Sequence, residues 1–149
     1  MSYFVTGGTG FIGRFLIGNL LKRKGSIHVL VRKASLKKFE AMAKKQGWDP
    51  KRVIAVAGDM TAASCGLTAA QIRALAGKIQ HFFHLAAIYD LTASAQEQQA
   101  ANIDGTRYAL DLAAALKVKC FHHASSIAAA GLYPGVFRED MFDEAEGLD

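Results

Sequence analysis

An eight-residue run, Thr6-Gly7-Gly8-Thr9-Gly10-Phe11-Ile12-Gly13, constrains this chain more than any other feature. Ahead of it, Ser2 to Thr6 is a short apolar, β-favouring segment. Behind it, apolar residues at Phe11, Ile12, Phe15, Leu16, Leu20 and Leu21 recur at helical spacing as far as Arg23, and Gly25 is positioned to cap that helix. The glycines therefore occupy a strand-to-helix turn. Gly7 permits the tight turn out of the strand. Gly10 lets backbone approach a pyrophosphate with no side chain in the way, and Gly13 lets the helix pack closely on the sheet. The helix start adds N–H groups without partners and the positive end of the dipole, both of which favour phosphate. A strand before and a helix after are what separate this reading from a purely structural glycine turn. A Walker-type loop is disfavoured, because no Gly-Lys-Ser/Thr follows.

The strand–helix alternation continues. Ile27 to Val31 reads as a second strand, and Ser35 to Gln46 as a polar-faced helix stopped by Gly47. Val53 to Ala57 is a third strand ending in Gly58-Asp59, and Thr68 to Ala76 a helix with Thr68 and Gln71 in capping-box spacing. Ile79 to Leu85, a long Ala-rich helix over Ser94 to Leu116, and a strand over Lys119 to Ala124 complete the pattern. Strand and helix alternating in this way imply an α/β fold: a doubly wound parallel sheet of the Rossmann type, strand order 3-2-1-4-5, with right-handed crossovers. The whole of residues 1–149 is read as one nucleotide-binding domain. Gly131 to Asp149 is acidic and has no period. It reads as a loop leading to a carboxyl-terminal substrate region that this sequence does not include, so the chain is expected to be the first part of a longer enzyme.

Composition excludes several classes. The chain is 51% hydrophobic and 21% charged, with 2 prolines, which is globular rather than disordered. The formal charge is +5, clustered in Lys22 to Lys24, Arg32 to Lys38 and Lys44 to Lys51. Most of these are read as solvated helix faces, and no aromatics alternate with them, so no nucleic acid is expected. No apolar stretch is long enough to cross a bilayer and no leader segment is visible, so no membrane span and a cytoplasmic setting are expected. Cys65 and Cys120 have no metal-type spacing and read as buried free thiols.

The glycine loop, with four later motifs in order, resembles the extended short-chain dehydrogenases/reductases. Gly58-Asp59-Met60 resembles the motif after the third strand, whose Asp meets the adenine amino group in that family. His84-Leu85-Ala86-Ala87 is similar to the motif lining the adenosine ribose. Asn102-Ile103-Asp104-Gly105-Thr106 is similar to the family's Asn-x-x-Gly-Thr, and Ala124-Ser125-Ser126 to the strand end that carries a catalytic Ser. The resemblance covers essentially the whole chain. It implies a nicotinamide cofactor contacted by Gly7, Gly10, Phe11, Ile12, Gly13, Asp59, Met60, Leu85, Ala86, Ala87, Asn102 and Ser125. It makes Ser126 the catalytic Ser, since the family's glycine follows five residues later as Gly131.

The second strand indicates which cofactor. An acidic residue at its end accepts the ribose hydroxyls of NAD, whereas an arginine there accommodates the 2′-phosphate of NADP. Here the strand reaches Arg32-Lys33-Ala34-Ser35, with no Asp or Glu before Glu40. Arg32 is expected to bind that phosphate, with Arg14 converging on it and Lys33 and Ser35 as additional ligands. The alternative for both arginines is a solvent face.

The family's chemistry uses Tyr, a Lys four residues later, and Ser. None of Tyr3, Tyr89, Tyr108 and Tyr133 has Lys at that distance, so the pair is expected beyond Asp149 and the chain alone is expected to be inactive. Asp90, three residues after Ala87, resembles the acyl-thioester reductase, fatty acyl reductase and hydroxysteroid dehydrogenase branch. The substrate implied is an apolar carbonyl or acyl thioester. A sugar-nucleotide epimerase or dehydratase, and a non-catalytic NADP-sensing module, stay open as alternatives. Apolar surface left where later elements would pack also makes a homo-oligomer an expectation. No metal is expected. His81 and His84 lie three apart on one strand and face opposite sides, His122 and His123 diverge, and no carboxylate accompanies either pair.

Overall fold

A computed structural model describes residues 1–89, 92–126 and 130–141. Five parallel strands form one sheet: β1 (Ser2–Thr6), β2 (Ile27–Val31), β3 (Val53–Ala57), β4 (Ile79–His84) and β5 (Cys120–His123), in the order β3-β2-β1-β4-β5. The expected fold class and strand order are those observed. Parallel register pairs Tyr3 with Ile27, Val29 with Ala55, Phe4 with Phe82, and Phe83 with His122.

Alternate residues of β1 to β4 feed two cores, and β5 adds Phe121 to the second. On one face Tyr3, Val5, Val29 and Val31 pack under Ile17 and Leu20 of α1 (Phe11–Leu20) and Phe39 of α2 (Leu36–Lys45). On the other, Phe4, Val56 and Phe82 pack under α3 (Ala69–Leu75) and a long helix whose last part carries Ala109, Leu112 and Leu116. That long helix has three parts: α4 (Ala95–Gln98), a π-helical segment (Gln99–Asp104) and α5 (Gly105–Ala115).

The end of the first helix differs from the sequence expectation. The first helix stops at Leu20, not Arg23. The Arg52 guanidinium, at the foot of β3, donates to the carbonyls of Leu21, Arg23 and Gly25, holding that segment in a turn. Gly25 is thus not a helix cap. Its φ of +111° lies beside the Met1 carbonyl, where a Cβ has no room. Gly47 does end α2 as expected. It takes φ +66° while Gly47 N–H donates to the Lys44 carbonyl at 3.1 Å and Trp48 N–H to the Ala43 carbonyl at 3.0 Å, which is the Schellman pattern. The expected capping box at Thr68 and Gln71 is present in both directions. Among the described residues of 130–141 no strand or α-helix forms, in keeping with a loop.

Candidate functional site

The loops after β1 and β4 meet at the carboxyl end of the sheet, where the strand order reverses. Open α/β sheets bind ligands at this switch point. Gly7 has φ +70°, and a Cβ there would come within 2.7 Å of the Ala86 nitrogen. The two loops touch backbone to backbone, which only glycine permits. A Cβ on Gly13 would collide with the Gly7 carbonyl and the Gly8 Cα, so the helix is drawn tightly onto the loop. Gly10 is different. Its Cβ would meet only the Gly7 oxygen, at 3.2 Å, so the space beside it is largely open. Gly10 also precedes α1 in an extended conformation with no side-chain cap. The first-turn N–H groups of Phe11, Ile12 and Gly13 thus lack intrahelical partners, and the dipole of a ten-residue helix stands behind them.

Beside this loop lies a cleft of about 330 Å³. Of the residues expected from the sequence, it gathers Gly7, Arg32, Asp59, Met60, Ala86 and Ala87, together with Ser35. Arg32 leads the 3-10 turn Lys33–Ser35, with Ser35 N–H bonded to its carbonyl at 2.8 Å. Its side chain is exposed, and no described carboxylate lies within ion-pair distance of it. Asp59 is held by an Asx-type turn: its Oδ1 accepts from Thr61 N–H at 3.0 Å and from Thr61 Oγ1 at 2.8 Å. Sequence reasoning did not single out Thr9, Thr61, Ile88 and Ala101, which also line the cleft. Thr9 lies inside the glycine motif and Thr61 follows Asp59, so proximity to those motifs was the available signal.

The remaining expected residues lie outside the cleft lining. Phe11 and Ile12 sit at the helix start with exposed side chains, and Phe11 meets Phe15 edge-on at 5.0 Å. Arg14 turns back along α1, its Nε 3.4 Å from the Gly10 carbonyl. Lys33 is exposed. Ser125 and Ser126 are exposed just past β5, where Ala124 N–H bonds the His84 carbonyl at 3.1 Å. Asp90 lies outside the described residues.

Behind the cleft runs a polar network that the sequence reading did not anticipate. Thr6 Oγ1 lies 2.8 Å from His84 Nδ1 and accepts from Leu85 N–H at 3.2 Å and Ala86 N–H at 3.3 Å. His84 Nε2 lies 3.2 Å from Thr106 Oγ1, which donates to the Asn102 carbonyl at 2.7 Å. The Asn102 side chain then brackets Ile88, accepting from its N–H at 2.8 Å and donating to its carbonyl at 3.0 Å. Asn102 sits in the π-helical segment, a geometry frequent at functional sites. Burial, with His123 alongside, pushes the His84 imidazole down to about 4. It is therefore neutral, and one of its nitrogens accepts.

The cysteines correct one expectation. Cys65 is buried, and burial, aided by Asp59 and Asp111, pushes its thiol up to about 12. Cys120 is only half-buried. The histidines diverge along each strand as expected, but strand pairing brings His81 Nδ1 to 3.0 Å from His122 Nε2.

Residues 5–147 match the NAD-binding family described as male sterility protein. The chain belongs to that family. Among its relatives, a linear gramicidin synthase component of Brevibacillus parabrevis is 34% identical over 132 residues, 83% of this chain and 3% of that protein. An aldehyde reductase of Aspergillus flavus is 31% identical over 139 residues, 86% of this chain and 13% of that protein. The crystal structure of the terminal R domain from the myxalamid biosynthetic pathway superposes with a TM-score of 0.82 at 29% identity, over 94% of this chain and 39% of that one. The chain thus spans well under half of each of these relatives. No helix among the described residues is long and apolar enough to cross a membrane.

Proposed function

We propose that this chain is the NADP(H)-binding portion of an oxidoreductase that reduces the carbonyl or acyl thioester of an apolar substrate. The observation that carries this reading is the cleft at the switch point, with an arginine and no carboxylate at the end of β2. The α1 N-terminus and the open space at Gly10 suit a pyrophosphate. Asp59 has a second carboxylate oxygen for an adenine amino group, and Arg32 with Ser35 suits a 2′-phosphate on the adjoining ribose. The bound dinucleotide would supply the hydride. Thr6, His84 and Thr106 hold the two loops together, so the cleft is in place before the ligand arrives. Ser126 would donate a hydrogen bond to the substrate oxygen as negative charge develops there. Reduction also requires an acid with a pKa near the working pH, and a serine hydroxyl is too weak an acid for that. Kinship with an aldehyde reductase and with a gramicidin synthase supports a carbonyl or thioester substrate over a sugar nucleotide.

In titrations followed by nucleotide fluorescence, NADPH is expected to bind more tightly than NADH. Arg32→Asp is expected to reduce that preference by at least about tenfold, since one charge-assisted contact to phosphate is worth about 1.5–3 kcal/mol. Equal affinities in the unmutated chain would sink the NADP reading. In a turnover assay with NADPH and a panel of aldehydes, ketones and acyl thioesters, this chain alone is expected to show no activity. Turnover by the chain alone would refute the placement of the acid chemistry beyond Asp149.

A further inference from the structure

We propose that His81, Cys120 and His122 bind a divalent transition-metal ion of the zinc type, bridging β4 and β5, with a water molecule as fourth ligand. Parallel register sets His81 opposite Cys120 and Phe83 opposite His122. Because side chains alternate along a strand, all four project from the same face of the sheet. One ligand atom from each of His81, Cys120 and His122 lies within 4.8 Å of the other two. The facing nitrogens of His81 and His122 are 3.0 Å apart. Two nitrogens bound at about 2.0–2.1 Å to a tetrahedral ion lie about 3.3 Å apart, so a shift of a few tenths of an ångström admits the metal.

The ring planes are already fixed. Phe83 stacks on His122 with centroids 4.3 Å apart and planes 8° from parallel, and Tyr3 lies over His81 at 6.0 Å and 25°. The donors are two imidazoles and one thiol, with no carboxylate in the cluster. That set selects against calcium and magnesium, which take oxygen ligands, and in favour of zinc and its neighbours. Both histidines are half-buried and Cys120 is the more open of the three, so the site is reachable yet partly shielded. Cys120 would bind as thiolate, releasing its proton to solvent. His81 precedes the end of β4 by three residues, which at about 3.3 Å per residue sets the metal about 10 Å from the strand end that faces the cleft. The site is therefore distinct from the nucleotide cleft. Its role is to cross-link β4 to β5.

The test uses the whole chain, stripped with a chelator and free of any affinity tag. Titration with cobalt(II) is expected to give the intense visible absorption of a tetrahedral ion and a thiolate-to-metal charge-transfer band, both saturating at a single site and abolished by added zinc. Cys120→Ser is expected to remove the charge-transfer band, while Cys65→Ala, outside the cluster, keeps it. His81→Gln and His122→Gln are each expected to weaken cobalt binding by at least about tenfold, since loss of a mere supporting partner already costs that much. Far-ultraviolet circular dichroism of each variant separates ligand loss from misfolding, and either histidine variant that folds suffices. A featureless cobalt titration, a charge-transfer band that survives Cys120→Ser, or unweakened binding by the folded histidine variants would overturn the proposal.

Discussion

One face of the sheet is built differently at its two ends. Under α1 and α2, at the β3-β2-β1 end, Val5, Ile17, Ile27 and Val29 are fully buried aliphatic side chains. At the β4–β5 end of the same face, His81, Phe83, Cys120 and His122 are half-buried, and three of them are rings stacked on one another. Chain topology explains the difference. Right-handed crossovers from β1 to β2 and from β2 to β3 place α1 and α2 on this face. The chain then passes to the other side of β1, and the crossover from β4 to β5 lays the long helix on the opposite face. A doubly wound sheet therefore closes each face in halves, and among the described residues no crossover covers the β4–β5 half of the first one.

The comparison can be broken by truncating one side chain at each end. Ile17→Ala should cost about 2–5 kcal/mol, because a fully buried side chain loses its transfer free energy and leaves a cavity. Phe83→Ala should cost only about 1–2 kcal/mol, because a half-exposed ring loses less transfer free energy and the gap is open to solvent. Urea midpoints at constant m-value read both, and equal losses would abolish the distinction. A pH-dependent effect probes the opposite face, where His84 staples β1 to α5. Its folded-state value of about 4 lies below the ordinary 6.5. The unfolded chain therefore binds the proton first as pH falls through 6.5, and stability drops from there down to pH 4, by at most about 3 kcal/mol. His28 and His122, also lowered chiefly by burial, add in the same direction. His84→Asn should flatten the pH dependence of urea stability between 6.5 and 4, and an unchanged slope would mean that the buried imidazole is not its source. The smallest effect lies at the end of α5. Lys117 adopts φ +56° while its N–H donates to the Ala114 carbonyl at 3.0 Å and Val118 N–H to Ala113 at 3.1 Å. Lys117→Gly should raise stability by about 0.5–1 kcal/mol by relieving the left-handed backbone, measurable as a higher thermal midpoint.

The alternation of short apolar runs with helical spacing was enough to place the five strands, because each signal was local and repeated, and their order is the usual one for such a half-sheet. The glycine loop was legible for the same reason: Gly7, Gly10 and Gly13 are constrained by backbone geometry within one turn. What escaped depends on pairing between distant segments. Arg52 shortens α1 from 31 residues away. Thr6 meets His84 across 78 residues, and His81 meets His122 across 41. A histidine pair that diverges along its own strand carries no mark of the partner that register will place beside it. Arg14 shows a related limit. Its position after the third glycine did not reveal its partner: a helix side chain leans toward its own preceding turn, and the Arg14 Nε lies 3.4 Å from the Gly10 carbonyl.

The π-helical segment amounts to one surplus residue lodged in a helix that α-geometry would otherwise complete. Gly105 N–H bonds to Ala100, five residues back, where an α-helix would use the residue four back. Deleting a single residue between 99 and 101 would therefore not break the rod. It would close the wide turn to an ordinary one and leave the capping box of Ser94 and Glu97 in about its present phase relative to α5, because the wider turn is what absorbs the extra residue. The side chains within the segment, Asn102 among them, would be spaced differently, and with them the bracket around Ile88. A helix that tolerates such a deletion while losing its grip on the β4 loop would separate two demands that usually coincide, the continuity of an element and the placing of one side chain on it.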